Sequence, residues 1–343
     1  MNSDPRFPER MKVVEMQGPG GPGVLALGLR PMPAVRAGGL VVQVAAAGVN
    51  GPDIMQRLGL YPPPEGASDL LGLEVSGTVV QVGDNVSGWS VGDTLTALTN
   101  GGGYAEYVAV DAAHCLPLPP GVSLRDAAGL PETFFTVWSN IFSGGILPEG
   151  GTLLVHGGAG GIGSTAIQIA KACNARIFVT ESPQERCAFC RRLGADRVID
   201  YAEEDFVTVL RSEAGGADVI LDIVGGPYIA RNIKAAAPGA TIVQLAFAQG
   251  SKVEIDLMPV MLKRLKLTGS TLRSRSDASK AEIAAQLVRH VWPLFADGRV
   301  KPLTGTVLPM SEARAAHELM QSAGHVGKIL LVPDSRMASG DQA

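Results

Sequence analysis

Three glycines, 158, 160 and 163, lie in His156-Gly157-Gly158-Ala159-Gly160-Gly161-Ile162-Gly163 at the spacing G-x-G-x-x-G. Residues without side chains at that spacing let the backbone turn tightly, let an anion approach its amides, and let a helix close onto the strand before it. The apolar run Thr152-Leu153-Leu154-Val155 precedes the turn, and a helical run from Ser164 to Ala172 follows it. The free N–H groups of that helix start, at the positive end of its dipole, would face the anion. A second apolar strand, Arg176 to Thr180, completes the context that the spacing requires. The implied chemistry is the binding of a dinucleotide pyrophosphate.

Glu181 closes that second strand about 20 residues after the turn, where an acidic side chain ordinarily accepts hydrogen bonds from the adenosine ribose and favours NAD. Its neighbours point the other way. Ser182 follows directly, Arg186 falls in the first turn of the next helix, and Tyr201 ends the following strand, a set able to hold a 2′-phosphate. A carboxylate aimed at that phosphate would repel it, so one of the two signals must serve another purpose. Arg186 can also be read as an ordinary solvated helix residue.

Metal ligands are scarce. A structural zinc needs four ligands that converge from short spacings, and the chain has four cysteines in all, at 115, 173, 187 and 190. Cys187 and Cys190 form the one close pair; they lie a helical turn apart with no second pair, and read as structural. His114, His290 and His317 read as core or surface residues, so the expectation is that no metal is bound. A carbonyl or quinone oxygen would then be polarised by side chains, amides or water. Asn50, just before a helix started by Pro52, offers an amide that donates and accepts. Tyr61, before Pro62-Pro63-Pro64, offers an aromatic face and a hydroxyl. Both also fit plain structural roles, an Asn in a turn and a Tyr at an apolar edge.

The elements that must position these residues fall into two patterns. From Met11 to about 130, short β-like runs such as Leu40–Val44, Glu74–Val80 and Ala105–Val110 are punctuated by Gly and Pro, which predicts a β-rich module. From 131 to 275, strands alternate with helices, which predicts a parallel, doubly wound α/β sheet; its later strands are placed at Val219–Val224, Ala240–Leu245 and Leu265–Gly269. From 276 to 343, a helix at Ala278–Phe295, a helix at Ser311–Ser322 and a strand at Lys328–Val332 are expected to return to the β module. The dinucleotide domain is thus an insertion, and the substrate would enter a cleft between two domains. Residues 1–10 and Ser335 to Ala343 are expected to be disordered tails.

Composition bounds the partners. Of 343 residues, 46% are hydrophobic and 18% charged, with 43 glycines, as befits a compact α/β chain; the net charge of −4 offers no basic footprint for nucleic acid or anionic membrane. No apolar run reaches the ~18 residues of a spanning helix and no signal-peptide core is visible, so a cytoplasmic location is expected.

The order Ala46-Ala47-Gly48-Val49-Asn50, Leu71-Gly72-Leu73-Glu74-Val75-Ser76-Gly77, Gly102-Gly103-Tyr104-Ala105-Glu106-Tyr107 and His156 to Lys171 resembles the zinc-independent quinone oxidoreductases, the ζ-crystallin relatives of the medium-chain dehydrogenase/reductase superfamily. Pro131-Glu132-Thr133, the loop Tyr61 to Ser68 and Leu272-Arg273-Ser274-Arg275-Ser276 are closest to its tumour-suppressor-inducible branch. The resemblance covers Met11 to Val332. It implies a Rossmann domain inserted into a GroES-like catalytic domain, an NADPH cofactor, no zinc, and hydride transfer to a quinone or conjugated carbonyl by a homodimer joined near Leu267 to Leu272. Zinc alcohol dehydrogenases of the superfamily carry a Cys near the Asn50 position and a His at the Leu73 position; both are absent here.

Residue by residue, the resemblance assigns Gly160, Gly161 and Ile162 to the diphosphate, and Ser182, Arg186 and Tyr201 to the adenosine phosphate. It assigns Thr136, Val224, Phe247, Leu272, Arg273 and His325 to the nicotinamide half, with His325 where the branch carries an asparagine. Tyr61 and Asn50 match the family's substrate-side pair. Glu181 departs from the small or apolar residue usual there and keeps NADH open as a cofactor. The competing functions are an enoyl or alkenal reductase on the same scaffold and a non-catalytic NADPH-binding protein.

Overall fold

The computed structural model describes residues 7–322 and 324–338. The expected tails at 1–6 and 339–343 lie outside the described residues. The chain divides into two compact units, one of residues 1–135 and 273–343, the other of Thr136–Leu272. These divisions fall a few residues from the expected boundaries at 130/131 and 275/276.

In the first unit, β1 (Arg10–Met16) and β2 (Leu25–Pro31) form an antiparallel hairpin. β1 begins at Arg10, and Met32 N–H donates to Glu9 O, so the fold starts inside the stretch expected to be loose. β3 (Gly39–Val49), β4 (Glu74–Val82), β5 (Thr94–Leu98), β6 (Tyr107–Asp111), β7 (Cys115–Pro117), β14 (Thr304–Pro309) and β15 (Lys328–Val332) share one sheet in the order β14-β15-β3-β4-β5-β7, with β6 also on β3. β3 pairs with β4, β6 and β15 and is buried on both faces along nearly its whole length, which explains why its sequence is almost unbroken apolar rather than alternating. The core gathers Leu40, Val42, Val44, Leu71, Val75, Leu95, Tyr104 and Leu331. β15 on β3 is the expected return of the C-terminal segment; β14, short and half-exposed, has too weak a pattern to be seen in sequence.

Short helices α1 (Gly51–Arg57) and α2 (Pro131–Val137) follow β3 and β7. The second unit is a six-stranded parallel sheet of β8 (Thr152–His156), β9 (Arg176–Glu181), β10 (Arg197–Asp200), β11 (Ala217–Asp222), β12 (Ala236–Gln244) and β13 (Lys266–Gly269), ordered β10-β9-β8-β11-β12-β13. Its order reverses direction at β8, as in a doubly wound dinucleotide fold. Helices α3 (Gly161–Ala172), α4 (Gln184–Arg192), α5 (Phe206–Ala214), α6 (Pro227–Ala235) and α7 (Met258–Lys263) connect the strands. β11 stops at Asp222, two residues short of the expected end, because the Asp222 carboxylate takes the Val224 and Gly225 amides into a turn.

The helix expected at Ala278–Phe295 is two, α8 (Asp277–His290) and α9 (Trp292–Ala296). Pro293 has no N–H and cannot continue the α8 ladder, but sits without cost in the first turn of α9. α10 (Ala313–Ser322) lies near its expected place, and α11 (Asp334–Ala338) replaces the start of the expected C-terminal tail.

Candidate functional site

At the carboxyl end of β8 the chain turns through Gly157, at φ +78°, into α3. A Cβ on Gly163 would lie 2.2 Å from Gly157 O and 2.6 Å from Gly158 Cα; one on Gly158 would lie 2.3 Å from Val179 Cγ1. These two glycines are required by the packing of loop, strand and helix. Gly160 differs: its φ is −76°, and the nearest atom to an added Cβ is Gly157 O at 4.0 Å. Packing does not require a bare backbone there, beyond the mild preference for glycine at an N-cap, whereas an anion settling on the start of α3 does. The loop therefore fits a diphosphate at Gly160, Gly161 and Ile162.

The other residues expected in the cofactor site and carried by this unit follow strand ends on the same edge. Ser182 and Arg186 follow β9, Tyr201 follows β10, and Val224 and Phe247 follow β11 and β12. The loops that carry Val224 and Phe247 pair with each other, with Gln249 N–H donating to Val224 O at 2.7 Å and Ala248 N–H to Ile223 O at 3.3 Å. Thr136 and Leu272 are the first and last residues of this unit. Arg273 and His325 belong to the other.

Glu181 is 3% exposed and turned inward. Ala159 N–H, inside the glycine loop, donates to its Oε2 at 2.7 Å, and Ser182 N–H to its Oε1 at 3.1 Å. Arg186 donates from Nε to Oε1 at 3.0 Å and from Nη2 to Oε2 at 3.4 Å. Cys187, buried nearby, bonds through Sγ to Glu181 O. Burial pushes the thiols of Cys187 and Cys190 up, the latter to about 12, consistent with a structural role.

A second network, unforeseen in sequence, ties the two halves of this edge. His156 sits between Thr180 Oγ1 and Asn232 Oδ1, each at 2.8 Å, and Asn232 Nδ2 donates to Asp222 Oδ2 at 2.9 Å. With the Asn232 amide nitrogen committed to Asp222, its oxygen must accept from His156 Nε2, so Nδ1 accepts the Thr180 hydroxyl proton. Burial lowers the imidazole pKa and keeps it neutral, which this arrangement needs. Asp222 Oδ1 in turn holds the Val224 and Gly225 amides at 2.6 and 3.0 Å.

In the first unit, Asn50 is engaged on both sides of its amide. Nδ2 donates to Glu74 Oε1 at 2.9 Å, and Oδ1 accepts from Lys328 Nζ at 2.6 Å. Lys328 also pairs with Glu74 at 2.6 Å, and Glu74 Oε2 accepts the Glu132 amide at 2.8 Å. Asp53, fully buried, accepts the Asn50 and Gly72 amides, each at 2.9 Å. Burial pushes the Asp53 carboxyl up to about 6 despite those amides. Burial, reinforced by repulsion from Glu74, pushes Glu132 up to about 8. Asn50 thus anchors a buried cluster of charges, and 5% of it is exposed.

Tyr61 has a different neighbour. The Arg273 guanidinium stands 5.8 Å from its ring centroid, and is itself held by Gln56 Oε1 at 2.7 Å and, through Nε, by Asn100 O at 3.0 Å. Arg273 is therefore a prop for Tyr61 within this unit, which corrects its expected place in the dinucleotide domain. His325 lies between α10 and β15. Among the described residues, no group of three or more His, Cys, Asp or Glu side chains is placed to hold a metal, and no helix is long and apolar enough to cross a membrane. Glu74 and Glu132 were visible only as members of the motifs Leu71 to Gly77 and Pro131 to Thr133, and Lys328 and Asp53 were assigned no role, because lone charged residues read as surface.

Two sequence families match: the alcohol dehydrogenase GroES-like domain over residues 36–120 and the zinc-binding dehydrogenase domain over 161–288. A phenolphthiocerol/phthiocerol polyketide synthase polypeptide of Mycobacterium tuberculosis is 29% identical over 309 residues, 84% of this chain; the match spans 13% of that much longer protein. The rat quinone oxidoreductase is 29% identical over 318 residues, which cover 91% of this chain and 95% of that one. A mycobacterial protein solved in complex with NADPH superposes with a TM-score of 0.84 at 29% identity, over 94% of this chain and 100% of that one.

Proposed function

We propose that this chain, which belongs to the medium-chain dehydrogenase/reductase superfamily, is an NADPH-dependent oxidoreductase that reduces a quinone or a similarly conjugated carbonyl. The observation that carries the proposal is the open Gly160 at the start of α3, between Gly158 and Gly163, which packing explains. When bound, NADPH supplies the hydride from its nicotinamide C4, the part of the chemistry that no side chain can provide. Gly160, Gly161 and Ile162 hold the diphosphate through amides. Ser182, Arg186 and Tyr201 meet the adenosine phosphate, while Thr136, Val224, Phe247 and Leu272 border the nicotinamide half. The Asp222 turn, fixed by Asn232 and His156, sets the backbone at Val224.

Tyr61, propped by Arg273, orients the acceptor by stacking or by its hydroxyl. Asn50 acts through the cluster it anchors, holding Glu74 and Lys328 in register. The reaction is proposed to run without zinc, because the positions that carry Cys and His ligands in zinc alcohol dehydrogenases are Asn50, whose amide is committed, and Leu73, which has no donor. The active form is proposed to be a homodimer. β13 is an edge strand with all four residues exposed, and beside it in sequence lie the exposed Leu257, Met258, Met261 and Leu262. An apolar edge of this kind is suited to pairing with its own copy.

A second reading, reduction of an activated carbon–carbon double bond, is favoured by the likeness to a segment of a polyketide synthase. Oxidation of NADPH followed at 340 nm with 1,4-naphthoquinone and, separately, with a 2-enal decides between them. Faster turnover of the quinone is the expected result. Turnover of the enal alone would establish the second reading, and NADPH binding without either turnover would mark a non-catalytic role.

A further inference from the structure

We propose that the Glu181–Arg186 ion pair sets the choice between NADPH and NADH: Glu181 tempers the grip of Arg186 on an adenosine 2′-phosphate and does not itself bind the ribose. The inference rests on the nicotinamide-cofactor reading above. A residue that reads ribose hydroxyls needs lone pairs facing the ligand. A carboxylate has about four acceptor positions, two per oxygen. Here Oε1 takes Ser182 N–H and Arg186 Nε–H, and Oε2 takes Ala159 N–H and Arg186 Nη2–H. The side chain is 4% exposed, and all its acceptors are spent inside the protein. The acidic residue that the sequence suggested as an NAD signature is thus an internal brace between the glycine loop and α4.

The same contacts change what Arg186 offers. A phosphate reaching this guanidinium meets a cation already balanced by a carboxylate 3.0 Å away, and it also meets the negative charge of that carboxylate. Both effects weaken NADPH while leaving NADH, which has no 2′-phosphate, nearly untouched. Removing the charge of Glu181 while keeping its shape and its acceptor for Ala159 should therefore release selectivity that the fold already contains.

The test is the dissociation constants of NADPH and NADH, measured by fluorescence titration on the purified wild type and Glu181→Gln, with adenosine 2′,5′-bisphosphate and 5′-AMP as competitors. The pair predicts that NADPH and the bisphosphate tighten about tenfold in Glu181→Gln, while NADH and AMP stay within about threefold. A loss of NADH or AMP beyond that range would show that Glu181 reads the ribose and would overturn the proposal, as would an NADPH affinity that does not rise. Should Glu181→Gln fail to fold, Arg186→Met is the second variant: it leaves the carboxylate without its cation, so NADPH should weaken about tenfold or more with NADH within about threefold. Unchanged NADPH binding there overturns the proposal. A wild type that binds neither cofactor defeats the cofactor reading itself, a result distinct from failure of the pair.

Discussion

Lys328→Met tests the buried cluster on which Asn50 depends. The lysine is 7% exposed; its Nζ lies 2.6 Å from Glu74 Oε1 and 2.6 Å from Asn50 Oδ1. Methionine fills nearly the same volume, so little packing is lost, but the fully buried Glu74 is left without its cation. An unpaired buried charge costs about 3–5 kcal/mol, and in a unit of this size each kcal/mol lowers Tm by about 2–4 °C. Scanning calorimetry should therefore show the first unit melting roughly 6–20 °C lower. Adding Glu74→Gln to Lys328→Met removes the stranded charge and should recover more than half of the loss. A loss below about 1 kcal/mol in the single variant, the size of a surface pair, would refute the claim that the cluster is dry and tightly coupled.

Burial raises Glu132 from 4.5 to about 8, so the folded state binds its proton more tightly than the unfolded chain; that stability is full below pH 4.5 and is lost as pH rises through about 8. Urea unfolding across that window should show a decline that Glu132→Gln flattens, and equal slopes would contradict it. In Gly163→Ala the new Cβ would sit 2.2 Å from Gly157 O, so the turn must open, and both Tm and NADPH affinity should fall. Leu267→Lys puts a charge on the exposed edge strand β13, and sedimentation velocity should show monomer in place of dimer. An unchanged sedimentation coefficient would move the interface elsewhere.

Much of the architecture was legible because it rests on local pattern. The apolar run before the glycine turn, the Gly158 to Gly163 spacing and the alternation after it announced β8, α3 and a parallel sheet, since a central parallel strand is apolar on both faces and needs no partner to be recognised. What was hidden depends on contacts between distant residues. Lys328 reaches Asn50 across 278 positions and Arg273 reaches Gln56 across 217, and nothing near either residue signals a buried partner. Glu181 shows the same limit: position marked it as a ribose acceptor, but only the Ala159 amide and the Arg186 side chain, brought in by the turn and by α4, show that its oxygens are taken. The break at Val291 was written in Pro293 but outweighed by the apolar periodicity on both sides of it.

The central claim, that the turn after β8 cradles the cofactor, is tested most directly by Gly160→Val. An added Cβ there meets nothing closer than 4.0 Å and an extended backbone that valine accepts, so the variant should stay folded, with Tm lowered only by the loss of a favourable N-cap residue, about 1 kcal/mol, while NADPH titration shows binding reduced at least about a hundredfold. A variant that folds normally and binds NADPH as the wild type does would contradict the account.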